Sequence, residues 1–147
     1  MIGRAILVIA VALCTRFACA AEPVESEVDG TWEVMDYTQA GKRNEMVKEQ
    51  KYVVIFADGV QTTRCNDEQT TKVNFKVDSK ANPKVITLTD AKRPNGTTVG
   101  IYEIHQFKMG VLKIALYTDD KKNNTDHPKD FEFDADKTVV TYRRVAP

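Results

Sequence analysis

Short apolar or alternating runs follow one another along the chain, separated by turn residues. The run 71–77 alternates cleanly, with its three apolar residues on one face, as in a half-buried strand. The run 51–57 is almost wholly apolar, and Asp58-Gly59 after it is a strong indication of a hairpin. The pattern predicts eight strands, at 30–37, 51–57, 60–65, 71–77, 84–90, 97–105, 111–118 and 137–144.

Helical spacing is found only at 43–50, a stretch of about two turns. The short run 131–133 is a candidate ninth strand. Strands this short and evenly spaced predict an all-β fold, an antiparallel meander of about eight strands closed into a small barrel with one short helix. A β-sandwich is the alternative, but hairpins in series without a long Greek-key return favour the barrel. Closure also removes exposed strand edges.

The first 20 residues have a different pattern. Arg4 precedes an apolar run at 5–13, and Ala18-Cys19-Ala20 is a small-x-small cleavage site, as in a secretory leader. The apolar run is too short to span a bilayer, so we expect no integral membrane span after cleavage; lipidation at Cys19 is a minor alternative. The sequence therefore predicts three segments: a signal peptide at 1–20, a flexible lead-in at 21–28 and a barrel domain at 29–147.

The number of cysteines and the net charge limit how the domain is stabilised and what it binds. The leader implies a secreted or periplasmic protein, and its removal takes Cys14 and Cys19, so that Cys65 alone is left and no internal disulfide can form. The domain must then be held by its core. Because the leader also holds two arginines and no acid, 19 of the 21 basic residues are left against 21 acidic ones. That balance provides no basic surface for nucleic acid or anionic lipid.

Motifs that carry chemistry are not found in the sequence. Cys65 has no neighbouring histidine, and His105 and His127 belong to no zinc-binding motif. The loop 117–130 gathers acidic residues but lacks the spacing of an EF-hand. A glycine-rich phosphate loop and a G-x-S-x-G elbow are also absent. We therefore expect no enzyme activity, no metal site and no cofactor.

The residues Gly30-Thr31-Trp32 and Arg144, on the first and last strands, resemble the G-x-W motif and late arginine of lipocalins and calycins. This resemblance implies that the two strands are neighbours and that the guanidinium of Arg144 lies over the indole of Trp32. Such a cation–π pair is stronger when it is shielded from water. Gly30, Trp32 and Arg144 are therefore predicted to form a structural lock that closes one end of the barrel.

The chain contains, in this order, the motifs GTWEV, FKVDSKANPKVITLT, GIYEI and LKIAL. Together they resemble a family of bacterial secreted lipocalin-like domains, and the resemblance covers nearly all of 29–144. Two positions depart from the family pattern: Ala115 stands where a cysteine is common, and His127-Pro128 where Arg-Pro is common. The resemblance implies a fold and no particular activity. The matching positions are Gly30, Trp32, Phe75, Asp78, Pro83, Lys84, Ile86, Leu88, Gly100, Ile101, Tyr102 and Leu112.

Two functional hypotheses follow from the barrel. In the first, the protein binds a small apolar ligand, because an eight-stranded barrel is just wide enough to be filled by side chains or to hold one small molecule. In the second, it is a non-enzymatic cell-surface interaction module that binds a protein or glycan through the loops 90–97 and 117–130. Residues predicted to line the interior in the first case are Phe56, Phe75, Ile101, Ile114 and Tyr142.

Overall fold

The computed structural model of the protein describes residues 26–93, 96–105, 110–118, 122 and 126–145. The predicted signal peptide, residues 21–25 of the predicted lead-in and parts of both candidate binding loops lie outside these ranges. No helix in the described ranges has the length and apolar character that crossing a membrane requires. The elements are β1 (Gly30–Gln39), β2 (Lys42–Arg43), α1 (Met46–Glu49), β3 (Tyr52–Ala57), β4 (Val60–Cys65), β5 (Glu68–Asp78), β6 (Lys84–Thr89), β7 (Thr97–His105), β8 (Val111–Tyr117) and β9 (Lys137–Arg144).

Eight of these strands form a closed antiparallel barrel. The strands β3 to β9 pair in chain order, and β1 pairs with both β3 and β9, which closes the sheet. The short β2 forms a hairpin with β1 and, among the described residues, pairs with no other strand. The predictions of an all-β fold and of a barrel made by a meander are therefore confirmed.

Two-residue turns with positive φ explain why the meander forms. Asp58 and Gly59 have φ of 52° and 73° between β3 and β4, the conformation that type I′ hairpins require. Asn66-Asp67 joins β4 to β5 in the same way. A third such turn, Ala40-Gly41, joins β1 to β2. Because Arg43 belongs to β2, the helix predicted at 43–50 is shorter in the structure, and α1 has only four residues. The candidate strand 131–133 is not a strand in the structure.

A β-bulge in β1 changes which of its residues face inward. The register of β1 against β9 shifts between Val34 and Asp36, leaving Met35 as the extra residue. Trp32 and Val34 face inward before the bulge, and Tyr37 faces inward after it, although strict alternation would have placed Tyr37 outside. The bulge thus brings a tyrosine into the barrel.

The apolar core has two parts, one inside the barrel and one outside it. The outer part consists of Ile101, Ala115 and Val139, with Phe131 packed against it. The prediction that Ile101 lines the interior is therefore wrong: Tyr102 belongs to the inner part, and successive residues of a strand point to opposite faces. The inner part contains Val28, Trp32, Val54, Phe56, Phe75, Ile86, Tyr102, Leu112, Ile114, Val140 and Tyr142.

Gly100 allows two neighbouring strands to come close. A Cβ atom at this position would lie 2.6 Å from the carbonyl oxygen of Ala115 and 2.2 Å from Cδ2 of Leu116. Both distances are shorter than real contacts, so only glycine fits between β6 and β8 here. The absence of a side chain at this position is therefore what allows the close approach of β8.

Candidate functional site

One end of the barrel is closed by the residues predicted to form the lock. The guanidinium carbon of Arg144 lies 4.4 Å from the ring centroid of Trp32, and the indole nitrogen donates a hydrogen bond of 2.8 Å to the carbonyl of Val28. Gly30 has φ of +133°, and a Cβ there would lie 3.1 Å from Nη1 of Arg144. Trp32 is fully buried, so the cation–π contact is shielded on the indole side.

Residues just before β1 belong to this closed end. Val28 is fully buried, and the amide of Asp29 donates to the carbonyl of Ser26 across a turn. Nη2 of Arg144 donates to the carbonyl of Glu27 at 3.3 Å. The predicted boundary at 29 is therefore corrected: residues 26–28 are part of the folded domain, because the lock needs the carbonyls of Glu27 and Val28 as acceptors.

A small polar cluster ties Glu27 to β6 and β7. Its carboxylate accepts hydrogen bonds from Nζ of Lys84 at 2.8 Å and from the hydroxyl of Tyr102 at 2.6 Å. Burial raises the pKa of Glu27, but the hydrogen bonds from Lys84 and Tyr102 outweigh it and leave the pKa below its ordinary value. Burial, and then the same hydrogen bond, raise the pKa of Tyr102. The cluster attaches the segment before β1 to the opposite wall of the barrel.

The part of the interior next to the lock is filled by side chains. Phe56 and Phe75 meet edge to face with ring centroids 5.0 Å apart, in the geometry that aromatic pairs prefer. Both residues and Ile114 are at most 5 % exposed. These three predicted ligand-binding residues therefore belong to the packed core.

The opposite end of the barrel contains a cavity of about 330 Å³. It lies between β1 from Val34 onward, the first half of β3, the middle of β4 and the middle of β9, and α1 with the residue Asn44 lies over it. Of the five predicted interior residues, only Tyr142 lines it. The lining residues are Val34, Tyr37, Gln39, Asn44, Val47, Tyr52, Val54, Gln61, Thr63, Val140 and Tyr142.

The chemistry of this lining is mixed apolar and polar without charge. Its apolar surface comes from four valines and three tyrosine rings, and its polar groups are hydroxyls and carboxamides. Among the described residues that line it, none is Asp, Glu, Lys, Arg or His. An isolated ion is costly to bury in such surroundings, so the cavity suits a neutral molecule.

The tyrosines of the cavity are neutral hydrogen-bonding groups. Burial, and then the proximity of Tyr37, raise the pKa of Tyr142. Burial also raises the pKa of Tyr37, against a smaller opposite effect of its hydrogen bond with Thr138. At the rim, a hydrogen bond with Cys65 is the main cause of a raised pKa at Tyr52. All three phenols therefore stay protonated at neutral pH.

Gln61 contributes a hydrogen-bond acceptor to the cavity lining. Its Oε1 is buried and has no hydrogen-bond partner among the described residues. Sequence reasoning missed this residue, although the hairpin at Asp58-Gly59 sets Gln61 opposite Phe56, and directly opposed residues share a face of the sheet. A glutamine on the same face as a buried phenylalanine was the indication available in the sequence.

The other reactive or metal-binding side chains among the described residues do not cluster into a second site. The thiol of Cys65 donates to the carbonyl of Gln50 at 3.5 Å, and Nε2 of His105 lies 3.4 Å from Glu103. No group of three or more potential metal ligands occurs in the described ranges. An open groove of about 670 Å³ outside the closed end is lined by the lock segment, with Glu27, Asp29, Asp58 and Arg144 at its polar positions.

Comparison with known proteins gives no match. No family model, no curated protein and no solved structure matches the chain. The lipocalin-like resemblance therefore stays a prediction that rests on the residues quoted for it. The interaction-module hypothesis also stays a prediction, because its two loops lie only in part within the described residues.

Proposed function

We propose that this protein is an exported, lipocalin-like binding protein for a small neutral molecule that is apolar over most of its surface. The observation that carries the proposal is the uncharged cavity of about 330 Å³ at the end of the barrel opposite the lock. Small-molecule sites are concave, mostly apolar and equipped with a few polar groups, and range from about 300 to 1,000 Å³. The cavity is at the lower end of that range, which favours a small ligand.

The arrangement of the barrel supports binding at this end. The lock and the aromatic core fill the far end, so within the described part of the barrel interior a ligand has space beneath α1. Val47 of α1 is 8 % exposed and lines the cavity. A ligand there would bury apolar surface against the valines and tyrosine rings of the lining, which is favourable.

Export is part of the proposal and rests on the leader pattern at 1–20. A protein that carries or retains an apolar molecule is useful outside the cytoplasm, where such molecules must cross an aqueous space. The single cysteine of the mature chain is compatible with that compartment because no disulfide is needed to hold the barrel.

The proposal is tested by extracting the purified protein with organic solvent and analysing the extract by mass spectrometry. We expect a small neutral compound in stoichiometric amount from the protein as its own cells make it. The variant Thr63→Phe places a ring in the cavity and should lose the compound. The control Thr62→Phe changes the adjacent residue of β4, whose side chain lies on the other face, and should retain it.

Both variants are first checked for a cooperative thermal transition near that of the unchanged protein. An extract without any bound compound would contradict the proposal, and so would equal recovery from folded Thr63→Phe and Thr62→Phe. In the second case the compound is bound elsewhere, and the outer groove or the loops become the place to look.

A further inference from the structure

We infer that Gln61 determines ligand specificity, accepting a hydrogen bond from an N–H or O–H donor of the bound molecule. This inference rests on the proposed function, because it assigns the class of ligand for the same cavity. It narrows a neutral, mostly apolar ligand to one that carries a donor group on an otherwise apolar body, such as an aromatic amine, an indole, a phenol or an alcohol.

The buried oxygen of Gln61 differs from the other unpaired oxygens of the protein. Four buried side-chain oxygens in the described part of the chain have no hydrogen-bond partner, and three of them belong to Asp29, Asp36 and Asp136. In each of these carboxylates the second oxygen does accept a hydrogen bond, from Ser26, Arg43 and Lys122 respectively. Gln61 alone among the four is an amide, and it alone lines the cavity.

An unpaired buried acceptor is costly, and most native proteins satisfy such groups. A leucine or methionine of similar size would fill the same position on β4 without that cost. Val54 and Tyr142 belong to the inner core, and Gln61 lines the cavity together with them. A donor on the ligand would satisfy the oxygen when the cavity is filled.

The remaining polar groups of the cavity offer further hydrogen bonds to a ligand but do not change the class of ligand. The phenols of Tyr37 and Tyr142 are protonated at neutral pH because burial raises their pKa values, and they are able to donate to a ligand oxygen as well as to accept. Gln61 offers its Oε1 as an acceptor only. A ligand without any donor would therefore leave this buried oxygen unpaired.

The experiment compares two nearly isosteric bicyclic probes, indole and benzofuran, of which only indole has an N–H donor. Binding is followed by the backbone amide chemical shifts of Tyr37, Val54 and Tyr142 in ¹H–¹⁵N NMR titrations, which report both affinity and location. We expect the unchanged protein to bind indole about tenfold more tightly than benzofuran, the ratio expected for one buried hydrogen bond made or lost.

Two variants assign that preference to one residue. Gln61→Met removes the acceptor at nearly constant volume and should bring the two affinities within about twofold of each other. Gln69→Met makes the same change at an exposed position of β5 and should leave the ratio as it is. The ratio in the unchanged protein is informative even if Gln61→Met fails to fold.

The outcomes separate this inference from the function on which it rests. Equal binding of both probes in the cavity would overturn the role of Gln61 and leave the proposed function standing. A preference for indole that persists in folded Gln61→Met would also overturn it, because another group would then be the acceptor. If neither probe shifts the three amides, the proposed function is contradicted and the inference falls with it.

Discussion

The two ends of this barrel are built from the same strands but are packed differently. At the closed end, Trp32 and Phe56 are at most 1 % exposed, and Arg144 covers the indole at 4.4 Å. At the open end, β1, β3, β4 and β9 continue, but their inward residues include Gln39 and Thr63, and a cavity of about 330 Å³ is left between the strands. Side-chain choice along each strand therefore decides where the barrel is solid and where it is hollow.

The difference indicates a division of tasks between the two ends. Close packing of large apolar side chains provides most of the free energy of folding, and here it is concentrated next to the lock. Polar groups inside a cavity cost stability unless something pairs with them. The cost of leaving Oε1 of Gln61 unpaired beside the cavity is offset by the close packing of the core.

The largest effect is expected when one side chain is shortened at each end of the barrel and the two losses of stability are compared. Phe56→Ala should lower the free energy of unfolding by about 3–5 kcal/mol, because it removes an aromatic ring from a filled core and leaves a void. Val34→Ala at the cavity wall should cost only about 1 kcal/mol, since its side chain is half-buried and already borders empty space. Urea denaturation followed by circular dichroism measures both.

A similar cost for the two variants would break the comparison. It would mean that the cavity wall is as tightly packed as the core next to the lock. A cost at Val34 larger than that at Phe56 would place the stabilising core at the open end.

The lock itself is tested by Arg144→Ala. We expect a loss of about 1 kcal/mol or more, because the variant removes the cation–π contact with Trp32 and the hydrogen bond to the carbonyl of Glu27. Arg143→Ala is the matched control, since that side chain is 44 % exposed and pairs with Glu33 at the surface, where an ion pair contributes little.

Fluorescence gives a second measurement for the same variant, because Trp32 is the only tryptophan. Its emission should move to longer wavelength in Arg144→Ala as water reaches the indole, and should not move in Arg143→Ala. Equal stability of both variants and unchanged emission would show that Arg144 is not needed to close the barrel.

The closed end was more accessible to sequence reasoning than the open end, and the reason is physical. Type I′ turns such as Asp58-Gly59 fix the register of a hairpin locally, and apolar alternation identifies residues such as Phe75 as inward. Both signs are contained in a few consecutive residues, and they were enough to predict the barrel. Tyr37 was missed because the bulge at Met35 reverses the alternation after it, and a bulge depends on pairing between β1 and β9 at opposite ends of the chain.

Ile101 and the segment 26–28 were misplaced for a related reason. Ile101 is as apolar as any core residue, but an outer cluster with Ala115 and Val139 covers it, and alternation alone does not say which face is inside. Val28 lies in an acidic, aperiodic stretch, and its burial follows from contacts with the lock. In both cases the deciding neighbour is distant in sequence.

The smallest expected effect concerns the cluster that ties Glu27 to the closed end. The pKa of Glu27 is lower in the folded protein than its ordinary value of 4.5, because the hydrogen bonds from Lys84 and Tyr102 outweigh the effect of burial. A carboxylate with a lowered folded-state pKa stabilises the protein above its unfolded pKa, and this contribution is lost as the pH falls through the folded pKa. Glu27→Gln should therefore be less stable at pH 7 by about 1 kcal/mol or less, since the pair with Lys84 is partly exposed.

The difference in unfolding free energy between Glu27→Gln and the unchanged protein should shrink as the pH is lowered from about 5 towards 3, because the carboxyl of the unchanged protein becomes neutral too. Urea titrations at several pH values measure this, and a double-mutant cycle with Lys84→Met isolates the ion pair from the hydrogen bond of Tyr102. A difference that stays constant from pH 7 to pH 3 would show that the ionised carboxylate does not stabilise the closed end. The segment before β1 would then be held by Val28 and the lock alone, and the closed end would owe its stability to apolar packing and the cation–π pair.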